Sequence, residues 1–393
     1  MKSDPVVILS ARRTPVGAFQ GAFATVTAPQ LGAAAIQAAV ADAGVKPSEV
    51  DEVILGCVLS AGIGQAPARQ AALAAGLPTG TPSTTVNKMC GSAMRAVMQG
   101  ADQILAGNAQ VVVAGGIESM TNAPYLLPKA RAGYRMGHQE VLDHMFFDGL
   151  QSPWDGKLMG CFADATSEKY AFTRQAQDEF AAESVRRALA AVNNGDFKAE
   201  IAPVTTKTRK GEVLVDRDET PFTLDVAKIP TLKPAFKKDG TVTAASSSSI
   251  SDGAAAVVLA RESFAAARNF KPLARILGYT SFAREPEWFT LAPVGAIQKL
   301  LKQLNWQAQD VDLYEINEAF AAVTMAAMKD LSLEHSKVNV NGGACALGHP
   351  IGATGARILT TLIYALRARG KKRGIASLCI GGGEATAIAV ELM

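Results

Sequence analysis

Three observations predict an α/β fold for this sequence. Short β-branched runs alternate with long alanine-rich stretches of helical pattern. Several of the short runs are almost wholly apolar, as strands are when helices cover both faces of their sheet. Glycine is frequent (35) and aromatic residues make up only 6%, which suits layers packed closely on small side chains. A chain of 393 residues is long enough for two or three compact units.

The strand candidates are Val6–Leu9, Glu52–Val58, Val111–Ala114, Ala256–Leu259, Ile375–Cys379 and Ala387–Val390. Between them run helix candidates that end on glycine: Pro29–Ala43 before Gly44, Ser92–Ala106 before Gly107, Gln175–Asn193 before Gly195, and Gly352–Arg369 before Gly370. Pro293–Leu304 is a further helix. Lys+Arg (39) and Asp+Glu (36) nearly balance, which leaves nucleic acid without support as a main partner. No apolar stretch reaches the ~18 residues of a membrane-spanning helix. The run Val6–Leu9 is too short for a secretory signal and reads as a first strand. Five scattered cysteines without a CxxC pair fit neither a disulfide framework nor a zinc cluster, so reduced thiols in a cytoplasmic protein are expected.

Two parts of the chain follow one plan. Val50–Gly56 and Val311–Asn317 each follow a helix. Val86-Asn87, a glycine-bearing turn, a helix and Val111–Glu118 are echoed by Val340-Asn341, a glycine-rich turn, a helix and Ala376–Glu384. Chance likeness between α/β units is the plain alternative to duplication. From about Met120 to Asp239 the rhythm breaks into Pro, Met and basic clusters such as Lys207/Arg209/Lys210. A structureless loop of that length is implausible, so an inserted subdomain is expected there, placed to act as a lid or ligand platform.

Four side chains at expected strand ends carry potential chemistry. Cys90 precedes a helix, where free amides and the macrodipole favour a thiolate; a buried inert cysteine is the bland alternative. His349, one of four histidines, lies in a glycine-dense loop and suits a base for a nearby thiol, or a purely structural bond to that loop. Cys379 runs into Gly381-Gly382-Gly383, where the backbone is free to aim amides at an oxyanion. The stretch lacks GxGxxG and a Walker lysine, which removes the phosphate-loop alternative. Asn317 follows another strand and offers an amide, or is an ordinary turn residue. Taken together, two cysteines, a histidine and an asparagine suit acyl transfer through a thioester, coupled to making or breaking a carbon–carbon bond.

The sequence resembles the thiolases over essentially its whole length. The matching stretches are Asn87-Lys88-Met89-Cys90-Gly91-Ser92, Gly115-Gly116-Ile117-Glu118-Ser119-Met120, Asn317-Glu318-Ala319-Phe320, Gly348-His349-Pro350-Ile351-Gly352 and Cys379-Ile380-Gly381-Gly382-Gly383. The resemblance implies two βαβαβαββ halves in a five-layer αβαβα sandwich with an inserted loop domain. The halves and insertion fall at residues 1–120, 121–245 (the CoA-binding insertion), 246–270 (the end of the first half) and 271–393. It further implies Cys90 as the acylated nucleophile, His349 as its base, and Cys379 as the acid and base at the α-carbon. It also implies that Asn317 holds a water which, with the His349 side chain, stabilises the enolate, and that the amides of Cys90 and Gly381 form the other oxyanion hole. Leu158, Met159, Phe236, Ala244, Ser248, Ala319 and Phe320 are implied along the CoA arm. The implied activity is acetyl-CoA C-acetyltransfer, a reversible ping-pong condensation of two acetyl-CoA to acetoacetyl-CoA and CoA. CoA thioesters are substrates, no cofactor or metal is implied, and the expected assembly is a homotetramer built from dimers. Leu158-Met159-Gly160 replaces the His-Met-Gly usual in short-chain members, so thiolysis of longer 3-ketoacyl chains is the alternative. A remoter alternative is a non-catalytic CoA- or lipid-binding relative; a ketoacyl synthase would leave Cys379 unexplained.

Overall fold

A computed structural model describes residues 4–209 and 211–393, so Lys210 and the first three residues lie outside the described residues. Nine strands build the main sheet, with the short Gly17–Ala18 strand attached at one side. The first part runs Ser83–Val86, Glu52–Gly56, Val111–Ser119, Ser251–Arg261 and Val6–Arg13, in spatial order. The second runs Leu313–Ile316, Arg373–Ile380, Glu384–Leu392 and Ala274–Ala283. They join through one short antiparallel contact, Val7 opposite Arg275 and Ile8 opposite Ala274.

Each part repeats one topology. A parallel pair sits at the outside (Val53 opposite Ser83; Leu313 opposite Gly374), and antiparallel strands lie towards the junction. The second part differs at its edge, where the counterpart of Ser83–Val86 shrinks to a single parallel bridge between Tyr314 and Val338. The backbone there turns away at Asn339, whose side chain bonds both the N–H and the C=O of Ile316 at 2.8 Å.

Alternation along the strands sorts the layers. Ile8, Val112, Val257 and Leu259 face one core with Leu313, Ala376, Leu378 and Ile388, around the helices Ser92–Ala106 and Thr354–Ala368. Val7, Leu9, Val113 and Val258 face the opposite way, onto the helices Ala28–Ala43 and Pro67–Ala74. Tyr314, Ile375, Ala387 and Ala389 face Ala292–Leu304 and Ala321–Asp330. Helix, sheet, helix pair, sheet, helix is the resulting stack. The abundant glycine is used in the middle of it: a Cβ on Gly355 would overlap the backbone of Met94, and one on Gly116 the carbonyl of Gly352. The two central helices therefore sit closer than larger residues permit.

The helix ends follow ordinary capping chemistry. Thr27 and Gln30 form a capping box for Ala28–Ala43, which closes on left-handed Gly44 (φ 68°). Gly107 and Gly195 close Ser92–Ala106 and Arg174–Asn194 in the same way. The strand Ala274–Ala283 and the helices Pro67–Ala74, Met159–Tyr170 and Ala321–Asp330 are additions to the elements expected from sequence.

Between Ser119 and Ser251 the chain leaves the sheet and forms the helices Met159–Tyr170 and Arg174–Asn194 and the hairpin Val204–Thr208/Gly211–Val215. One buried arginine fastens this segment. Arg13, at the end of the first strand, bonds Glu200 through Nε at 2.5 Å and grips Asp218 through both terminal nitrogens at 2.7 and 2.9 Å. Thr361 of a central helix also donates to Glu200, at 3.0 Å.

Candidate active site

The nucleophile turn is built by its own short side chains. Asn87 Oδ1 accepts from the Met89 amide at 2.9 Å, and the Ser92 hydroxyl donates to the Met89 carbonyl at 2.6 Å while accepting from the Lys88 amide at 2.8 Å. These bonds hold Met89 in the left-handed region (φ 47°), an uncommon conformation for a residue with a Cβ. The turn delivers Cys90 to the start of the helix Ser92–Ala106.

Cys379 ends the strand Arg373–Ile380, and the glycine turn after it meets the Cys90 turn. A Cβ on Gly91 would overlap the Ile380 side chain. The Gly381 amide bonds the Cys90 sulfur, and the two thiols lie within electrostatic reach of each other. Lys88 and Glu384 form an ion pair across the same junction. Sulfurs separated by most of the sequence thus share one site.

At Cys90 burial overrides the helix terminus. It pushes Cys90 up to about 11, although the Gly381 amide and the backbone of Cys90 pull the other way. Cys379, buried and beside Cys90, is raised as well. The expectation of a thiol lowered by its helix is therefore corrected: the resting group is a thiol, not a thiolate.

His349 is 5% exposed, and its loop is pinned by its amide to the Ser249 carbonyl at 3.1 Å. The ring tautomer follows from its neighbours. Thr354 Oγ1 spends its proton on the Pro350 carbonyl at 2.9 Å, so it accepts from His349 Nδ1 at 2.6 Å. Nε2 then carries the free lone pair. Burial, and next the Arg357 charge, lower His349 to about 3, so the imidazole is neutral. Asn317 Nδ2 lies 3.5 Å from that Nε2.

Two buried acids brace these loops. Glu118 accepts from the amides of Val58, Leu59 and Gly352 at 3.1, 3.1 and 2.8 Å, and burial raises it to about 7. Glu318 takes Ser184, Asn339 and the Cys345 amide at 2.7, 2.8 and 3.1 Å, which holds the Asn317 turn against the loop leading to His349. Both stand in the matched stretches, yet composition and spacing gave them no role. Thr354 and Arg357 were also missed; a polar residue facing the core of an otherwise apolar helix was the available signal.

A cavity of about 360 Å³ opens beside His349. Leu158, Met159, Phe236, Ala244, Ser248 and Phe320 line it, together with Met120, Phe146, Leu150, Ile250 and Ile351, to which the sequence assigned no role. Cys90, Leu150 and Ile250 pack against one apolar cluster that contains Met120 and Ile351. Cys379 belongs to an apolar cluster with Ala319 and Phe320, against which Met159 and Phe236 pack. Ala319 lies behind the wall, and its carbonyl accepts from the Ser248 amide at 3.0 Å. His349 lines the cavity itself, and Cys90, Asn317 and the turn shared by Cys379 and Gly381 approach it from three further loops. Among the described residues no group of three or more His, Cys, Asp or Glu side chains is arranged to hold a metal ion. No helix of the described residues is long and apolar enough to cross a membrane.

Comparison with known proteins gives a consistent picture. Residues 6–263 match the family model of the thiolase N-terminal domain and residues 270–392 that of the thiolase C-terminal domain. The chain is 49% identical over 385 residues to an acetyl-CoA acetyltransferase of Pseudomonas aeruginosa, covering 98% of each chain. It is 50% identical over 390 residues to one of Cupriavidus necator, covering 98% of this chain and 99% of the other. Among solved structures it resembles the Bacillus anthracis acetyl-CoA acetyltransferase (TM-score 0.97, 44% identity, 100% and 99% coverage). It also resembles the thiolase Acat5 from Ascaris suum in complex with coenzyme A (TM-score 0.94, 41% identity, 99% and 100% coverage).

Proposed function

The chain belongs to the thiolase family, and from that premise we propose that its cavity condenses two acetyl-CoA to acetoacetyl-CoA and CoA, reversibly, through an acetyl group carried on Cys90. The protein is an acyltransferase, an acetyl-CoA acetyltransferase like its relatives. The observation that carries the site reading is the contact between the Cys90 and Cys379 turns beside a neutral His349.

Each proton has a place. Cys90 Sγ attacks the thioester carbonyl and gives its proton to His349 Nε2, which burial keeps free to accept it. The carbonyl oxygen takes its negative charge towards the amides of Cys90 and Gly381. As the carbon–sulfur bond breaks, the departing CoA sulfur takes the proton of Cys379. Acetyl-Cys90, imidazolium and a Cys379 thiolate remain. The thiolate removes the α-proton of the second acetyl-CoA, and the enolate oxygen faces His349 and a water held by the Asn317 amide. Its carbon attacks the acetyl group, Cys90 leaves as thiolate and regains its proton from His349. All three groups return to their starting states. The apolar walls exclude water, which would otherwise hydrolyse the acyl-enzyme.

CoA thioesters are the substrates, and the chemistry above asks for no further group. Cys90→Ala is expected to lower thiolysis at least about 1,000-fold, and acetyl-CoA is expected to protect wild-type Cys90 from alkylation. Unprotected alkylation, with activity retained in the variant, overturns the assignment. Leu158 and the largely apolar lining favour a second reading, thiolysis of longer 3-ketoacyl-CoAs; rates across C4 to C12 substrates decide between the two.

The division at residues 1–120, 121–245, 246–270 and 271–393 fits this scheme, each half supplying catalytic loops and the insertion supplying Leu158, Met159 and Phe236. A homotetramer is supported by the apolar side chains Tyr125, Leu127, Met136 and Val141, all exposed around two short paired strands. A dimeric mass for a Leu127→Glu/Met136→Glu variant, against a tetrameric wild type, is the expected result in light scattering. Five free cysteines suit a cytoplasmic location.

A further inference from the structure

Arg357 is a buried charge that the chemistry above leaves unused. It lies in the first turn of the helix Thr354–Ala368 and is 2% exposed. Its Nη2 donates to Asn317 Oδ1 at 3.5 Å, and its Nη1 stands 3.9 Å from Glu315 Oε2. Among the described residues its Nε and Nη1 have no hydrogen-bond partner, nor has Glu315 Oε1. A buried guanidinium needs close pairing to offset its desolvation, and 3.9 Å is poor geometry for a pair kept only to stabilise the fold.

The neighbour that gains from the charge is the Asn317 amide. Its two faces have almost the same shape, so only the surroundings choose between them. With Oδ1 towards Arg357, Nδ2 faces His349 Nε2 at 3.5 Å. Turned over, the amide would set its own N–H groups against a cation that only donates.

We infer that Arg357 is a positioning residue: it holds the Asn317 amide with its N–H donors towards the water that faces the oxygen of the enolate formed on the second acyl-CoA. This rests on the roles proposed above for Asn317 and His349. The positive charge also has the right sign for an oxygen that becomes anionic in a site sealed from water.

The ping-pong scheme separates this role from a general structural one. Exchange of labelled CoA into acetyl-CoA requires only acylation of Cys90. Thiolysis of acetoacetyl-CoA requires the enolate as well. Arg357→Gln with Glu315→Gln removes both charges together, so no lone carboxylate is left buried. The thiolysis kcat of this variant is expected to fall about 100-fold, as for loss of one oxyanion donor, with CoA exchange within about threefold of wild type. Asn317→Ala is expected to show the same split, and adding it to the double variant to cause no further loss. Arg357→Lys keeps the charge as a single point, and its thiolysis is expected to fall about tenfold with exchange preserved; it decides the matter if the double variant does not fold. Equal loss of exchange and thiolysis, or no loss of thiolysis, overturns the inference. Retention of both activities by Cys90→Ala would instead overturn the underlying reading of the site.

Discussion

At Cys90 two effects oppose one another, and their sizes decide the resting state. A helix N-terminus is worth about 0.3–1 kcal/mol near the surface, whereas one pKa unit corresponds to about 1.4 kcal/mol and burial moves groups by several units. Burial wins, and the site rests as a thiol beside a neutral imidazole. Two signs follow. With the thiol raised, iodoacetamide alkylation of Cys90 in the free enzyme should climb with pH and continue to climb above pH 9, where an ordinary cysteine has levelled off. With His349 lowered to about 3, the same profile should show no inflection near 6.5. A plateau near pH 7 would mean a preformed thiolate–imidazolium pair. The residue types were legible in the sequence, but the outcome was not, because spacing shows the helix terminus and says nothing of the walls around it.

The turn Asn87–Ser92 shows what an element adds. Its internal bonds depend on residues two to four positions apart, so the local shape is encoded in the motif itself. Gly91 is required for a different reason: the space its Cβ would fill belongs to Ile380, from the far end of the chain. Gly91→Ala is expected to part the two turns, lowering kcat at least about tenfold through misplacement of the reacting groups. The thermal unfolding temperature is expected to change far less, since the close packing of the two central helices at Gly355 and Met94 is untouched. Full activity in a correctly folded variant would show that the turns tolerate separation. The glycine was visible in sequence; the contact that demands it was not.

On the scale of the molecule, a buried cluster ties the insertion to the sheet. Arg13 joins the first strand to Glu200 and Asp218, and Thr361 extends the cluster to a central helix. Arg13→Met would leave two carboxylates buried without their counter-ion, a loss of about 3–5 kcal/mol by comparison with other broken buried pairs. Chemical denaturation measures it, and a change under about 1 kcal/mol would mean the segment is held by its apolar contacts alone. The cavity depends on this tie, because Leu158, Met159 and Phe236 reach it from the segment that Arg13 fastens.

By itself the sequence determined the class of layers, the capped helices, the repeat of one plan in two parts and the polar residues at strand ends. These depend on periodicity, on glycine and on short-range hydrogen bonds, all written within a few residues of one another. Only the tertiary structure decided that the edge strand of the second part shrinks to one bridge, that the thiols rest protonated, and that Arg357 faces Asn317. Each of those depends on what lies across a packed interface, where desolvation and close approach outweigh any local preference.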